Sequence, residues 1–332
     1  MPKALPIVSV LALGNWGTAL ANYLAVRGHS VLGWSKDKQV VKNINSAQIN
    51  PKFLSNVSLS KNLTATEDLK AALRADFIVL GFPSVSLADI GPKLKVQSGA
   101  ILISAIKGFE DKTLKTPLQY IKEFVSKDVL LAVLSGPSFA KDIVNGNPAG
   151  VVVASASEEV ASKVADLFSG GDMKIYTSTD PLGVEIGGAV KNVIALAAGV
   201  CDGLELGESA RAGLITRGLA EMTRLGVAMG ADPRTLSGLS GLGDLVMTAT
   251  SNLSRNRTAG IKLARGDTLD KILKEIGSVV EGIHSTPLVL ALAARHKVDM
   301  PITTQMDKVI RGEMTPKQAA KALLARPSKR ES

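Results

Sequence analysis

Lys191 stands in the middle of an apolar helical run, GVEIGGAVKNVIALAAG, where an ammonium loses the solvation that favours its charge. On a helix, Gly187 and Gly188 fall one turn before it and Ile194 and Ala195 one turn after, on the same face. The small residues leave a ligand room to approach the backbone, so the amine is a candidate proton donor and acceptor. The plainer alternative is a surface lysine whose stem lies along apolar neighbours. Lys107, in Ile106-Lys107-Gly108, is a second cation that would depress the basicity of the first and offset negative charge on a reacting oxygen. Asp244, in Gly241-Leu242-Gly243-Asp244, could orient Lys191 or a substrate hydroxyl, and as a nearby anion it acts the other way. The sequence leaves those two tendencies open. Ser254-Arg255-Asn256-Arg257 reads as a helix start whose guanidinium forks and cap amides suit phosphate oxygens.

Ser135-Gly136-Pro137-Ser138-Phe139-Ala140 follows another apolar run and opens a helix. Ser138 is expected as its N-cap, and the same amides are available to a substrate oxygen. Histidine chemistry has little material. His29 and His296 read as surface residues, and His284, after Val279-Val280-Glu281-Gly282, stays undecided. No H-x-x-x-H or C-x-x-C spacing occurs, so no metal is expected and a lysine or carboxylate must move the proton.

These groups need a frame, and the chain has two halves of different pattern. Up to about residue 180, β-branched runs alternate with helical stretches. Strands are expected over 7–13, 30–34, 76–82, 100–106, 129–134, 149–154 and 174–177. Helices are expected over 15–26, 69–73, 87–94, 114–125, 139–144 and 158–168. That alternation predicts an α/β fold: an N-terminal Rossmann-type, mainly parallel sheet with helices on both faces, followed by an all-α domain. In the second half helices are expected over 182–200, 210–229, 269–276, 285–294, 304–310 and 316–324, with Pro181, Pro233, Pro287, Pro301 and Pro316 near their starts. The expected organisation is a dinucleotide-binding domain over 1–180, a substrate-binding domain over 181–326 and a basic tail over 327–332.

The first strand ends in Ala12-Leu13-Gly14-Asn15-Trp16-Gly17, a dinucleotide fingerprint with two of its three glycines. Gly14 lets backbone approach a pyrophosphate, Gly17 lets the helix pack on the strand, and the helix N-terminus supplies amides. Ala12 occupies the position of the first glycine. The second strand ends Gly33-Trp34-Ser35-Lys36-Asp37, with a hydroxyl and a cation before any carboxylate. Lys36 could attract a 2′-phosphate, which leans the cofactor toward NADP or use of both NAD and NADP.

The chain of 332 residues, 45% apolar and 21% charged, is long enough for two cores. Its net charge of +9 is spread along the chain and aromatics reach only 4%, which argues against nucleic acid and for small anionic ligands. Cys201 is the one cysteine, so no intrachain disulfide forms and a cytoplasmic location is expected. The apolar stretch over 5–13 reads as a first strand, not a signal peptide, and no apolar run is long enough to predict a membrane span.

GNWGTALA, FPS over 82–84, KG at Lys107, SGPSFAKDI, GVEIGGAVKNVIALAAG, LITRGLAEMTRLG, GLGDLVMTATSNLSRNR, VVEG and MPIT together resemble the bacterial-type NAD(P)-dependent glycerol-3-phosphate dehydrogenases. The resemblance covers nearly the whole chain, from about residue 7 to 324. It implies reduction of dihydroxyacetone phosphate to sn-glycerol 3-phosphate for glycerophospholipid synthesis, in a cytoplasmic enzyme that is commonly a homodimer. It implies that Lys191 is the proton donor and acceptor. It places Lys107, Gly136, Ser138, Asp244, Ser254, Arg255 and Asn256 at substrate-binding positions. Asn15, Trp16, Lys36, Lys107, Ala140, Arg255, Val279 and Glu281 fall at cofactor-binding positions. The chain departs from the family pattern at Ala12, at Asn15 and at Gly81-Phe82, changes expected to crowd the cofactor site. Two other readings use the same features: a related dehydrogenase of β-hydroxy acids or ketopantoate, and a non-catalytic NAD(P) sensor. The Ser254–Arg257 cluster argues against the first, and the set of chemical groups against the second.

Overall fold

A computed structural model describes residues 6–328 and 330. Two compact units, Met1–Glu185 and Ile186–Ser332, meet inside a single helix. The expected basic tail lies partly outside the described residues.

The first unit contains strands β1 (Val8–Leu11), β2 (Val31–Trp34), β3 (Ile49–Asn50), β4 (Leu54–Ser58), β5 (Leu63–Thr66) and β6 (Phe77–Leu80). They are followed by β7 (Ile101–Ser104), β8 (Leu130–Ser135), β9 (Ala149–Ala154) and β10 (Met173–Ser178). Its helices are α1 (Asn15–Val26), α2 (Lys38–Ala47), α3 (Leu69–Ala72), α4 (Leu87–Ile90), α5 (Pro117–Ile121), α6 (Ala140–Val144) and α7 (Glu158–Phe168). Eight strands form one sheet in the order β10-β9-β8-β7-β6-β1-β2-β5, and β3 and β4 make a separate hairpin. Every pair in the large sheet is parallel except β8 with β9. The chain leaves β1 toward β2 and β5, then returns to its other side at β6. The strand order therefore reverses beside β1, where open α/β sheets bind ligands at the carboxyl ends.

Strand residues alternate between two apolar layers, one on each face. Val8, Val10, Val79, Ile101 and Ile103 enter one core, while Leu11, Ile78, Leu80 and Leu102 enter the other. Burial on both faces is why these strands read as continuous apolar runs. The sequence expectation missed α2, β5 and the β3–β4 hairpin, whose patterns are weaker. Only Val40 and Ile44 of α2 are buried, and β4 is mostly exposed.

Helix α8 (Pro181–Gly203) opens the second half. It is long and apolar enough to cross a membrane, yet its apolar window is wholly buried within the fold. The second unit continues with α9 (Glu208–Ala228), α10 (Pro233–Leu236), α11 (Asp244–Thr250), α12 (Arg255–Ala264) and α13 (Leu269–Ile276). It ends with α14 (Glu281–His296), α15 (Pro301–Ile310) and α16 (Pro316–Leu324). Pro181, Pro233, Pro301 and Pro316 begin helices, where a missing N–H costs nothing. Pro287 departs from that expectation: α14 starts at Glu281, placing this proline inside the helix. Glu221 of α9 is buried, and its carboxylate accepts the amides of Ile302 and Thr303 and the Thr303 hydroxyl at the start of α15.

Glu185 is buried in the first unit, where its carboxylate accepts the Leu118 amide at 2.8 Å beside Thr116. Burial raises its pKa from 4.5 to about 7, against the lowering effect of the Thr116 and Leu118 hydrogen bonds. Ionising this group is therefore harder in the folded state than in the unfolded one. The contribution of Glu185 is full below about pH 4.5 and is lost as pH rises through about 7, by up to about 3 kcal/mol. Glu185→Gln should remove that loss, narrowing the stability difference between pH 5 and pH 8 in urea unfolding. An unchanged pH dependence would mean that Glu185 does not titrate there.

Candidate active site

In the first unit the candidate residues gather along the carboxyl ends of parallel strands β2, β1, β6, β7 and β8. After β1 the chain turns through Ala12, which holds a left-handed φ of +76°. Gly17 packs so closely on that turn that a Cβ would lie 1.9 Å from the Ala12 carbonyl. Gly14 is the N-cap of α1, and a Cβ there would meet nothing within 4 Å. No side chain caps this helix and its first turn has no acidic residue. Amides at an uncapped helix start are the kind of group that binds anions. Asn15 is exposed, and Trp16 packs partly against the core with its Nε1 buried and without a hydrogen-bond partner.

Lys36, past β2, lies 2.5 Å from Asp89, and its side chain is 62% exposed. The ammonium groups of Lys36 and Lys93 hold the Asp89 carboxyl at about 2. Lys107 follows β7 and is half-buried. Gly136, after β8, has φ +142°, and a Cβ there would press on the Gly150 carbonyl at 2.9 Å. Ser138 is not the expected N-cap: Phe139 holds that place, and the Ser138 hydroxyl donates to Gly136 O at 3.1 Å. Ala140 is the first residue of α6. Phe82 is buried in the apolar layer with Leu11, Trp34, Leu80 and Leu87.

In the second unit Lys191 sits on α8 with only 4% of its surface exposed, so the surface-lysine alternative is excluded. Its Nζ donates to Asp244 Oδ1 at 2.5 Å and to Thr248 Oγ1 at 2.8 Å. Asp244 is fully buried, and the Thr248 hydroxyl donates back to Asp244 O at 2.6 Å. Asp244 and Thr248 are one turn apart on α11, so a single helix face presents both oxygens to the amine. The sequence reading missed Thr248; its spacing of four from Asp244 was the available signal.

α12, which carries the second group of residues, approaches α8 tightly. A Cβ on Gly199 would lie 2.0 Å from Arg257 O, and one on Gly260 2.0 Å from Leu196 O. Asn256 Nδ2 donates to Asn192 Oδ1 at 2.9 Å, and Asn256 Oδ1 accepts the Gly282 amide at 2.8 Å. Asn192, next to Lys191, is another buried polar group that the sequence reading passed over. Ser254 caps α12 by accepting the Arg257 amide at 3.2 Å. Arg255 is exposed, with Nη1 3.0 Å from Ser278 Oγ, while half-buried Val279 and Glu281 border the start of α14. Arg257 donates through Nε to Asp202 (2.7 Å) and through Nη1 to Asn252 (2.7 Å), bonds that tie α12 to its neighbours. The three histidines are half-buried, and burial beside Arg27 lowers the pKa of His29. His29 and His296 are thus less exposed than expected. Among the described residues no three His, Cys, Asp or Glu groups cluster as metal ligands.

A glycine loop on a doubly wound sheet, with a helical unit carrying a buried lysine–aspartate pair, defines the class of two-unit NAD(P)-dependent dehydrogenases. The family profile described as NAD-dependent glycerol-3-phosphate dehydrogenase N-terminus matches residues 7–161, and its C-terminal counterpart matches 180–321. The chain belongs to that family and is an oxidoreductase. It is 44% identical over 327 residues to a glycerol-3-phosphate dehydrogenase [NAD(P)+] of Stenotrophomonas maltophilia, covering 98% of this chain and 96% of the relative. The crystal structure of glycerol-3-phosphate dehydrogenase from Coxiella burnetii superposes with a TM-score of 0.93 at 36% identity, covering 97% and 99% of the two chains. A ketopantoate reductase from Ralstonia eutropha, at 15% identity and a TM-score of 0.60, shares the fold alone.

Thr248→Val keeps the bulk and the Asp244 pair but removes one of the two oxygens that aim Lys191. Turnover should fall by about ten- to a hundredfold, with the coenzyme KM within about twofold of wild type. Unchanged kcat in steady-state kinetics would take Thr248 out of the positioning set.

Proposed function

We propose that the protein reduces dihydroxyacetone phosphate to sn-glycerol 3-phosphate, with the first unit binding NADPH or NADH and the second binding the triose phosphate. The buried Lys191–Asp244–Thr248 cluster carries this reading. A bound dihydronicotinamide supplies the hydride for the substrate carbonyl carbon. Lys191 donates a proton to the carbonyl oxygen as it gains negative charge, and takes the proton back in the reverse direction. Asp244 and Thr248 accept from the amine and fix its position.

Arg255, Asn256 and the capped start of α12 hold the substrate phosphate. The α1 amides with Gly14, Asn15, Trp16 and Gly17 take the pyrophosphate, and the packing of Gly17 against Ala12 supports that fit. Lys107 and Ala140 complete the coenzyme contacts of the first unit. Lys36 meets the adenosine ribose and, by exchanging Asp89 for a 2′-phosphate, accommodates both coenzymes. A cytoplasmic homodimer serving glycerophospholipid synthesis is the setting we infer.

Absorbance at 340 nm with dihydroxyacetone phosphate and either coenzyme tests the reading. Lys191→Ala should lower kcat by about a thousandfold or more while still binding coenzyme; retained turnover excludes its acid–base role. Arg255→Ala should raise the KM for dihydroxyacetone phosphate by about ten- to a hundredfold with a smaller change in kcat. An unaltered KM would remove Arg255 from the phosphate site.

A further inference from the structure

We propose that Asn50 is a positioning residue for coenzyme binding: it fixes the Leu13–Gly14 peptide so that the Gly14 amide faces the pyrophosphate. The inference rests on reading the glycine loop as the coenzyme cradle. Asn50 Nδ2 donates to Leu13 O at 3.0 Å and to Thr18 Oγ1 at 2.8 Å. Thr18 Oγ1 in turn donates to Leu13 O at 3.0 Å. Both side chains have zero exposure, so no bulk water competes for these bonds. The α1 ladder begins with Thr18 N on Gly14 O, which leaves the Leu13 carbonyl to the two side chains. In a trans peptide the C=O and N–H point in opposite directions. Drawing Leu13 O toward Asn50 therefore turns the Gly14 N–H away from Asn50, at a residue whose Cβ position is open.

Ala12 is the reason such a pin is needed. Its φ of +76° is a conformation that a Cβ resists and that glycine adopts freely. With alanine there, a relaxed loop competes with the binding form, and affinity scales with the fraction that is competent. Asn50 can oppose that relaxation because its own backbone is fastened elsewhere. It pairs with Leu54 across the β3–β4 hairpin, whose base closes through Leu59 N to Gln48 O at 2.8 Å. Leu54 and Leu59 are buried, and Lys52 at the tip pairs with Asp37, the N-cap of α2, at 2.7 Å. The hairpin thus links the pyrophosphate loop to the end of β2.

Dissociation constants for NADH and NADPH, read by nicotinamide fluorescence on the full chain, test the proposal. Asn50→Ala should weaken both coenzymes by about tenfold or more. Asn50→Asp, which presents an acceptor to Leu13 O, should weaken them at least as much. The KM for dihydroxyacetone phosphate should stay within about twofold at saturating coenzyme. Ala12→Gly alone should bind within about threefold of wild type, and in the Ala12→Gly/Asn50→Ala double variant most of the lost affinity should return. A general loss of stability would not be repaired in this way. Equal affinity in wild type and Asn50→Ala, or no recovery in the double variant, overturns the proposal. If the Asn50 variants do not fold, Thr18→Val gives the same readout, and its unchanged affinity overturns the proposal. A wild-type protein that binds neither coenzyme would refute the reading of the loop instead.

Discussion

One ammonium group buried beside one carboxylate governs the second unit. Lys191 and Asp244 are almost without solvent, and each would be costly there alone. The pair is tolerable because Thr248 accepts a further N–H from the amine and closes its own hydrogen bond on the Asp244 backbone. A charge held in a dry, fixed geometry has no solvent shell to rearrange when a proton moves. The small residues of α8 and α12 follow from the same demand. Only backbones without Cβ atoms at Gly199 and Gly260 let α12 approach α8 closely enough to set Asn256 against Asn192.

The first unit solves a different problem, presentation of backbone amides to an anion. Gly17 docks α1 onto the turn after β1, so the helix start lies at the carboxyl edge of the sheet where strand order reverses. The absence of any side-chain cap or acid in the first turn leaves that positive end available. Ala12 makes the turn with strain, and buried hydrogen bonds from Asn50 and Thr18 hold its neighbour in place. The glycine loop is thereby tied to the β3–β4 hairpin outside it.

Much of this was legible in order along the chain. The continuous apolar strands, α1 and the long helices of the second half stood out because their burial is complete or periodic. The weakly patterned α2, β5 and β3–β4 were missed, since few of their side chains are buried and their positions depend on neighbours. Lys191 and Asp244 were singled out by residue type and setting, and the structure pairs them. Spacing could not say which way the Arg257 guanidinium turns, because its partner Asp202 is distant in sequence.

Local composition was enough to announce a glycine turn before a helix, an amine in an apolar helix and a basic helix start. These are properties of neighbouring residues, and the chain carries them before it folds. Which oxygens meet the amine, that Phe82 fills a core layer, and that Asn50 clamps a loop 37 residues away were decided only in three dimensions. Those contacts are made by groups far apart in the chain, and packing alone determines which of many possible partners comes within hydrogen-bonding reach.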